Sequence, residues 1–118
     1  MPVTGIGGIF FRAKDTKALS AWYRDHLGVG GGGYGIWTPE AGTSLFLPFE
    51  ETSDMIPEGK SFMLNFRVTE IDALIASLKA AGIEVKTDPA WDTPETGRFA
   101  RIHDPEGNAV ELWQPPVE

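Results

Sequence analysis

Glu111 is the side chain with the most chemistry to offer, because of the residues that alternate with it. It stands in the run Ala109 to Trp113, between Val110 and Leu112. In an extended strand, residues two apart share a face, so the aliphatic pair points one way and Glu111 and Trp113 the other. A carboxylate carried inward costs several kcal/mol unless it meets a cation, accepts hydrogen bonds or takes up a proton. Arg12, Arg67 and Arg101 are the cations that can meet it, and alternation along their own strands favours Arg12 and Arg67. Held in a cleft, such a carboxylate is a ligand anchor or a general base. An internal ion pair, or exposure at a rim, is the structural reading of the same residue.

Other reactive groups are sparse. The chain has no cysteine, which excludes thiol catalysis and sulfur-ligated zinc. His26 and His103 fall on different elements, the end of a helix and the approach to a turn. Two histidines do not make a transition-metal site, which normally takes three protein ligands. His103 can instead move a proton near neutral pH. Gly30 to Gly33 looks like a phosphate loop but is followed by neither Lys-Ser/Thr nor a helix start, so it reads as a flexible connection. Trp37, Trp91 and Trp113 are placed for stacking on a flat or cationic ligand, whereas Trp22 and Tyr23 fit a helix core.

The elements that must position these residues occur twice. FFRAKDTKALSAWY at 10 to 23 and NFRVTEIDALIASL at 65 to 78 superpose Phe11 on Phe66, Arg12 on Arg67, and Ala18, Leu19 and Ala21 on Ala73, Leu74 and Ala76. A strand-then-helix repeat at a period longer than that of solenoids points to paired modules whose sheets enclose a space. Residues 6 to 13 read as a strand, Asp15 as an N-cap, and Ala18, Leu19, Trp22, Tyr23 and His26 or Leu27 as one helical face ended by Gly28. In the second copy Thr69 is the expected cap, Ile71, Leu74, Ile75 and Leu78 the stripe, and Gly82 the stop. Tyr34 to Trp37, Ser44 to Phe49 and Ile83 to Val85 read as short strands. Asp104-Pro105-Glu106-Gly107-Asn108 is turn chemistry between strands at 98 to 103 and 109 to 113, so a hairpin is expected. The whole chain is then a single domain: module one at about 1 to 50, a linker at about 51 to 60, and module two at about 61 to 118.

Seventeen acidic against ten basic residues give a net charge of −7. That charge repels phosphate backbones and disfavours nucleic acid as a partner. It serves solubility, or attracts a cationic ligand. No apolar stretch is long enough to span a membrane, and the first residues lack the pattern of a secretion signal, so no membrane partner and a cytoplasmic location are expected.

AWYRDHLG at 21 to 28, FRVTEIDALIASLKAAG at 66 to 82 and DPEGNAVELWQP at 104 to 115 together resemble the vicinal oxygen chelate superfamily of glyoxalases, bleomycin resistance proteins and extradiol dioxygenases. The resemblance implies an α+β fold of two βαβββ modules, each a curved mixed sheet with an outer helix, enclosing a cavity and usually assembled as a homodimer. Metal-dependent members hold a divalent ion at positions that fall here on Gly8, Met63, Ser44 or Leu45, and Glu111. Only Glu111 keeps a suitable ligand, so neither a metal nor another cofactor is expected. Strand alternation fills the implied cavity with Phe10 and Arg12 from one module and Met63, Asn65 and Arg67 from the other, with Glu111 and Trp113 from the last strand. Trp37 and Arg101 complete the expected ligand-binding set, with Glu111 and His103 as the candidate catalytic pair. The implied function is the binding of a small organic ligand without the usual complete metal site. The alternative is a glyoxalase- or lyase-type enzyme in which Glu111 serves as base or metal ligand.

Overall fold

The turn Asp104-Pro105-Glu106-Gly107-Asn108 organises the sheet. Gly107 takes φ 82° and donates its N–H to the Asp104 carbonyl at 3.0 Å. Asp104 Oδ1 accepts the backbone N–H groups of Glu106 and Asn108, so the side chain closes the turn from within. The result is the expected hairpin: β2 (Arg98–His103) runs antiparallel to β3 (Ala109–Gln114), with His103 opposite Ala109. In the computed structural model, which describes residues 2–117, β1 (Leu64–Arg67) joins the other edge of β3 in parallel. The sheet is mixed, in the order β1-β3-β2.

Two helices cover one face. α1 (Thr16–Leu27) begins where Asp15 Oδ1 accepts the Ala18 N–H at 3.0 Å, and ends at Gly28, whose φ of 67° lets its N–H and that of Val29 return to the Arg24 and Tyr23 carbonyls. α2 (Ile71–Ala80) stops at Gly82, φ 81°, as its sequence suggests. Its start differs from expectation. Thr69 does not cap it; Glu70 takes φ 50°, and Gln114 Oε1, from the end of β3, accepts the Ile71 N–H at 2.8 Å. The cap is tertiary, so no local pattern announces it.

The core lies between these helices and the sheet. Leu64, Ala100, Ile102, Val110 and Leu112 meet Leu19 and Tyr23 of α1 and Ile71 and Leu78 of α2, with Phe66 and Val68 packed against them. This is the alternation expected from sequence. Fully burying side chains such as Ile71, Leu78, Ile102 and Leu112 contributes about 1.5–3 kcal/mol each. The hairpin turn also holds α1: Tyr23 Oη donates to Asp104 Oδ2 at 2.6 Å, and the Glu106 carboxylate accepts the N–H groups of Lys14 (2.6 Å) and Asp15 (2.9 Å). Burial and the Asp104 carboxylate push the Tyr23 hydroxyl well above its ordinary pKa.

The first half departs from the duplicated plan. Among the described residues no strand forms before Leu64, so the strands expected at 6–13, 34–37 and 44–49 are absent. Tyr34 lies instead in a 3₁₀ turn, Gly33–Gly35, with φ 60°. A strand needs a neighbour to pair with, and β-propensity reports fit to a half-buried pleated surface more than an intrinsic backbone preference. Gly7 and Gly8 weaken the first segment further. Its aromatics are left in the open, Phe10 at 95% and Phe46 at 89% exposure. In the second half the segment expected as a strand at 83–85 shrinks to one bridge, where Lys86 and Arg101 exchange backbone hydrogen bonds of 2.9 Å. The stretch expected as a linker is a series of turns. Among the described residues no helix is long and apolar enough to cross a membrane.

Candidate functional site

The sheet face turned away from the helices carries one continuous polar row. Backbone register sets Asn65 of β1 beside Glu111 of β3, Glu111 beside Arg101 of β2, and Arg101 beside Lys86 of the bridge. Directly opposed residues project to the same side. Asn65 Nδ2 donates to Glu111 Oε1 at 2.9 Å, and Arg101 Nε donates to Oε2 at 3.2 Å. Glu111 is 8% exposed, and its carboxylate is thus met at both oxygens. The Arg101 guanidinium also lies over Trp91, its Cζ 4.1 Å from the ring centroid. Three independent contacts fix the orientation of the central pair.

Arg101 is therefore the counter-ion, in place of Arg12 or Arg67. The reason is hairpin register: a turn that sets His103 opposite Ala109 must set Arg101 opposite Glu111. Arg67 does share the Asn65 face, but its guanidinium donates to the backbone carbonyls of Thr43 and Glu40, the latter at 2.7 Å. Gly42 permits this approach, since a Cβ there would lie 2.9 Å from Arg67 Cζ. Arg12 is exposed and makes no ion pair among the described residues.

The remaining expected site residues divide clearly. Trp113 stands next to Glu111 on the same face, opposite Phe99, with its Nε1 donating to the Thr96 carbonyl at 2.7 Å. Trp37 packs edge-on against Phe66, a residue of the helix-side set, and so leaves the row. Phe10 is exposed, and its ring occupies the space beside Gly8, where a Cβ would meet Phe10 Cζ at 3.2 Å. Met63 is half-buried just before β1. His103 is exposed, while His26 leans on Trp22 with ring centroids 5.5 Å apart. The structure thus brings together Asn65, Glu111, Arg101 and Trp113, and does not bring Phe10, Arg12 or Trp37 to them.

Lys86 and the direction of Trp91 are what sequence reasoning missed. The alternation of Ile83 and Val85 with Glu84 and Lys86 carried a signal for Lys86, because it assigns Lys86 to the polar side. A cavity of about 290 Å³ opens at this outer end of the row, lined by Lys86, Arg101 and His103, by Glu84 and Asp104, and by Trp22. Elsewhere, Arg98 reaches Asp72 of α2 at 2.9 Å. That hydrogen bond holds the Asp72 carboxyl below the usual carboxylate range and raises Arg98.

Among the described residues no three His, Asp or Glu side chains are grouped so as to hold a metal ion. The two oxygens of Glu111 meet an amide and a guanidinium.

Comparison with solved structures places the fold among known ones. TnmS3, an antibiotic binding protein from Streptomyces sp. CB03234, has a TM-score of 0.58 at 20% identity, over 98% of this chain and 98% of its own. A glyoxalase/bleomycin resistance protein from the same organism is 35% identical over 43% of this chain and 42% of its own, with a TM-score of 0.34. Oxidase ChaP-H2 is 20% identical over 89% and 88%, with a TM-score of 0.49. No curated protein matches. Residues 5–112 match a family model, a span that includes α1, β1, α2 and the hairpin turn. The chain belongs to the Glyoxalase/Bleomycin resistance protein/Dioxygenase superfamily.

Proposed function

We propose that this chain is a cytoplasmic small-molecule-binding protein whose ligand lies against the polar row, and that it works without the metal site found in many of its relatives. The observation that carries the proposal is the double engagement of Glu111 by Asn65 and Arg101 on the sheet face opposite α1 and α2. A carboxylate held this way is a rigid anchor for neighbouring donors, and Phe99 and Trp113 beside it offer aromatic surface. Proton abstraction by Glu111 has no comparable support, because both of its oxygens already hold donors. TnmS3, which shares the fold, is described as an antibiotic binding protein, and the ligand class carried over is a small organic molecule.

The proposal includes a homodimer in which residues 2–15 and 36–49 complete the first βαβββ module. Its support is the exposure of Ile9, Phe10, Ile36, Leu45, Phe46 and Leu47. Large apolar side chains exposed in this number are unusual for a monomer's surface and mark a face that meets a partner.

A thermal-shift screen of metabolites and cationic antibiotics tests the binding function, since a ligand that prefers the folded state raises the midpoint by mass action. A screen without any hit sinks it. Sedimentation showing only monomer at micromolar concentration refutes the dimer. Stoichiometric Zn, Ni, Fe or Mn in protein purified without chelators refutes the metal-free reading.

A further inference from the structure

Resting on that reading, we propose a ligand class: the cavity at the outer end of the row receives the carboxylate of a small aromatic acid, with Arg101 and Lys86 as its donors. The protein as a whole carries −7, so an anion receptor has to be built locally. Arg101 meets the requirement through what its contacts leave free. Its Nε is given to Glu111 and its face to Trp91, and among the described residues neither Nη has a protein acceptor. Among the described residues no buried side-chain polar atom lacks a partner, so these Nη groups are not fully buried. A guanidinium has five N–H donors in a fixed fork matched to a carboxylate, and here the fork is already oriented before any ligand arrives.

Lys86 adds the second charge. It is exposed, opposes Arg101 in register, and makes no ion pair among the described residues. Two carboxylates also line the cavity, and a third, Glu111, takes the Arg101 Nε at 3.2 Å, but none of the three occupies the Nη fork. Asp104 is buried and accepts from Tyr23, Glu106 and Asn108, while Glu84 is exposed to screening solvent. The Trp22 ring supplies an apolar wall, and about 290 Å³ admits an acid with one or two fused rings.

Calorimetric titration of the full chain with three probes sharing one ring system tests this: 1-naphthoate, 1-naphthalenemethanol and 1-naphthylmethylammonium. Naphthoate is expected to bind about tenfold more tightly than the alcohol, with no heat from the ammonium. Lys86→Met is expected to weaken naphthoate about fivefold, and Arg101→Lys more, with the alcohol unaffected by either. The inference is overturned if the alcohol or the ammonium matches naphthoate, or if Lys86→Met leaves naphthoate affinity within twofold. Lys86 is exposed, so its variant keeps the test valid even if Arg101→Lys fails to fold. Preference for the ammonium or the alcohol overturns the ligand class and leaves the binding function standing. Binding of none of the three at millimolar concentration also overturns the ligand class, while the function itself answers to its own compound screen.

Discussion

Arg101 stands directly across the antiparallel ladder from Glu111, and its Nε reaches Oε2 at 3.2 Å. The two partners are unequally sheltered, the glutamate side chain at 10% exposure and the arginine at 27%. Removing one partner therefore differs from removing the other. Arg101→Met leaves a buried carboxylate with only Asn65 and is expected to cost about 2–3 kcal/mol, whereas Glu111→Gln leaves a wetter cation and costs about 1 kcal/mol. Urea denaturation of both variants checks the order, and equal or reversed losses contradict it.

Tyr23→Phe removes the 2.6 Å hydrogen bond to Asp104 and is expected to cost about 1–2 kcal/mol at pH 7. The phenol's pKa is raised above its ordinary 10.0 by burial first and by Asp104 second. Its contribution is thus complete below pH 10 and declines as pH rises above that value, because the unfolded chain gives up this proton first. Stability should fall less steeply in Tyr23→Phe than in the parent between pH 10 and 11.5. Parallel curves across that window would show that Tyr23 is not the titrating group.

Gln114→Ala removes the tertiary cap from Ile71 N–H and should destabilise the protein by about 1 kcal/mol. Hydrogen exchange at the first turn of α2 is the specific readout. Unchanged protection there, with the same global loss, would place the effect elsewhere.

Gly97→Ala is expected to cost about 3 kcal/mol or more. Gly97 has φ 99°, and a Cβ would stand 2.2 Å from the Gln114 carbonyl oxygen, a backbone atom that cannot swing aside. Gly42→Ala meets only the end of the flexible Arg67 side chain, so a loss under about 1 kcal/mol is expected. Thermal unfolding of the two alanine variants side by side should show this contrast.

The second half was readable because its signals are local or carried by one turn. Alternation at Leu64 and Phe66 and at Val110 and Leu112 identified the buried face, and Asp104 to Asn108 identified the hairpin. That same turn contains the register that pairs Arg101 with Glu111, although alternation within single strands pointed to Arg12 and Arg67. The Gln114 cap and the Trp91 stack were not readable, since both depend on loop paths set by distant contacts. The first half misled for a related reason: Ile9 to Phe11 and Leu45 to Leu47 carry strand-forming residues, but composition does not supply a neighbouring strand.

The clasp of Glu106 and Asp104 on Lys14, Asp15 and Tyr23 has a temporal consequence. Its halves lie 81 to 92 positions apart in the chain, and the receiving half exists only after β2 and β3 have zipped together. On the ribosome, α1 must therefore wait undocked until residues beyond Asn108 emerge, so that α1, made before α2 and the hairpin, settles after them. Pulse-labelled refolding should show amides of the hairpin shielded before those of α1, and the opposite sequence of events would contradict this order.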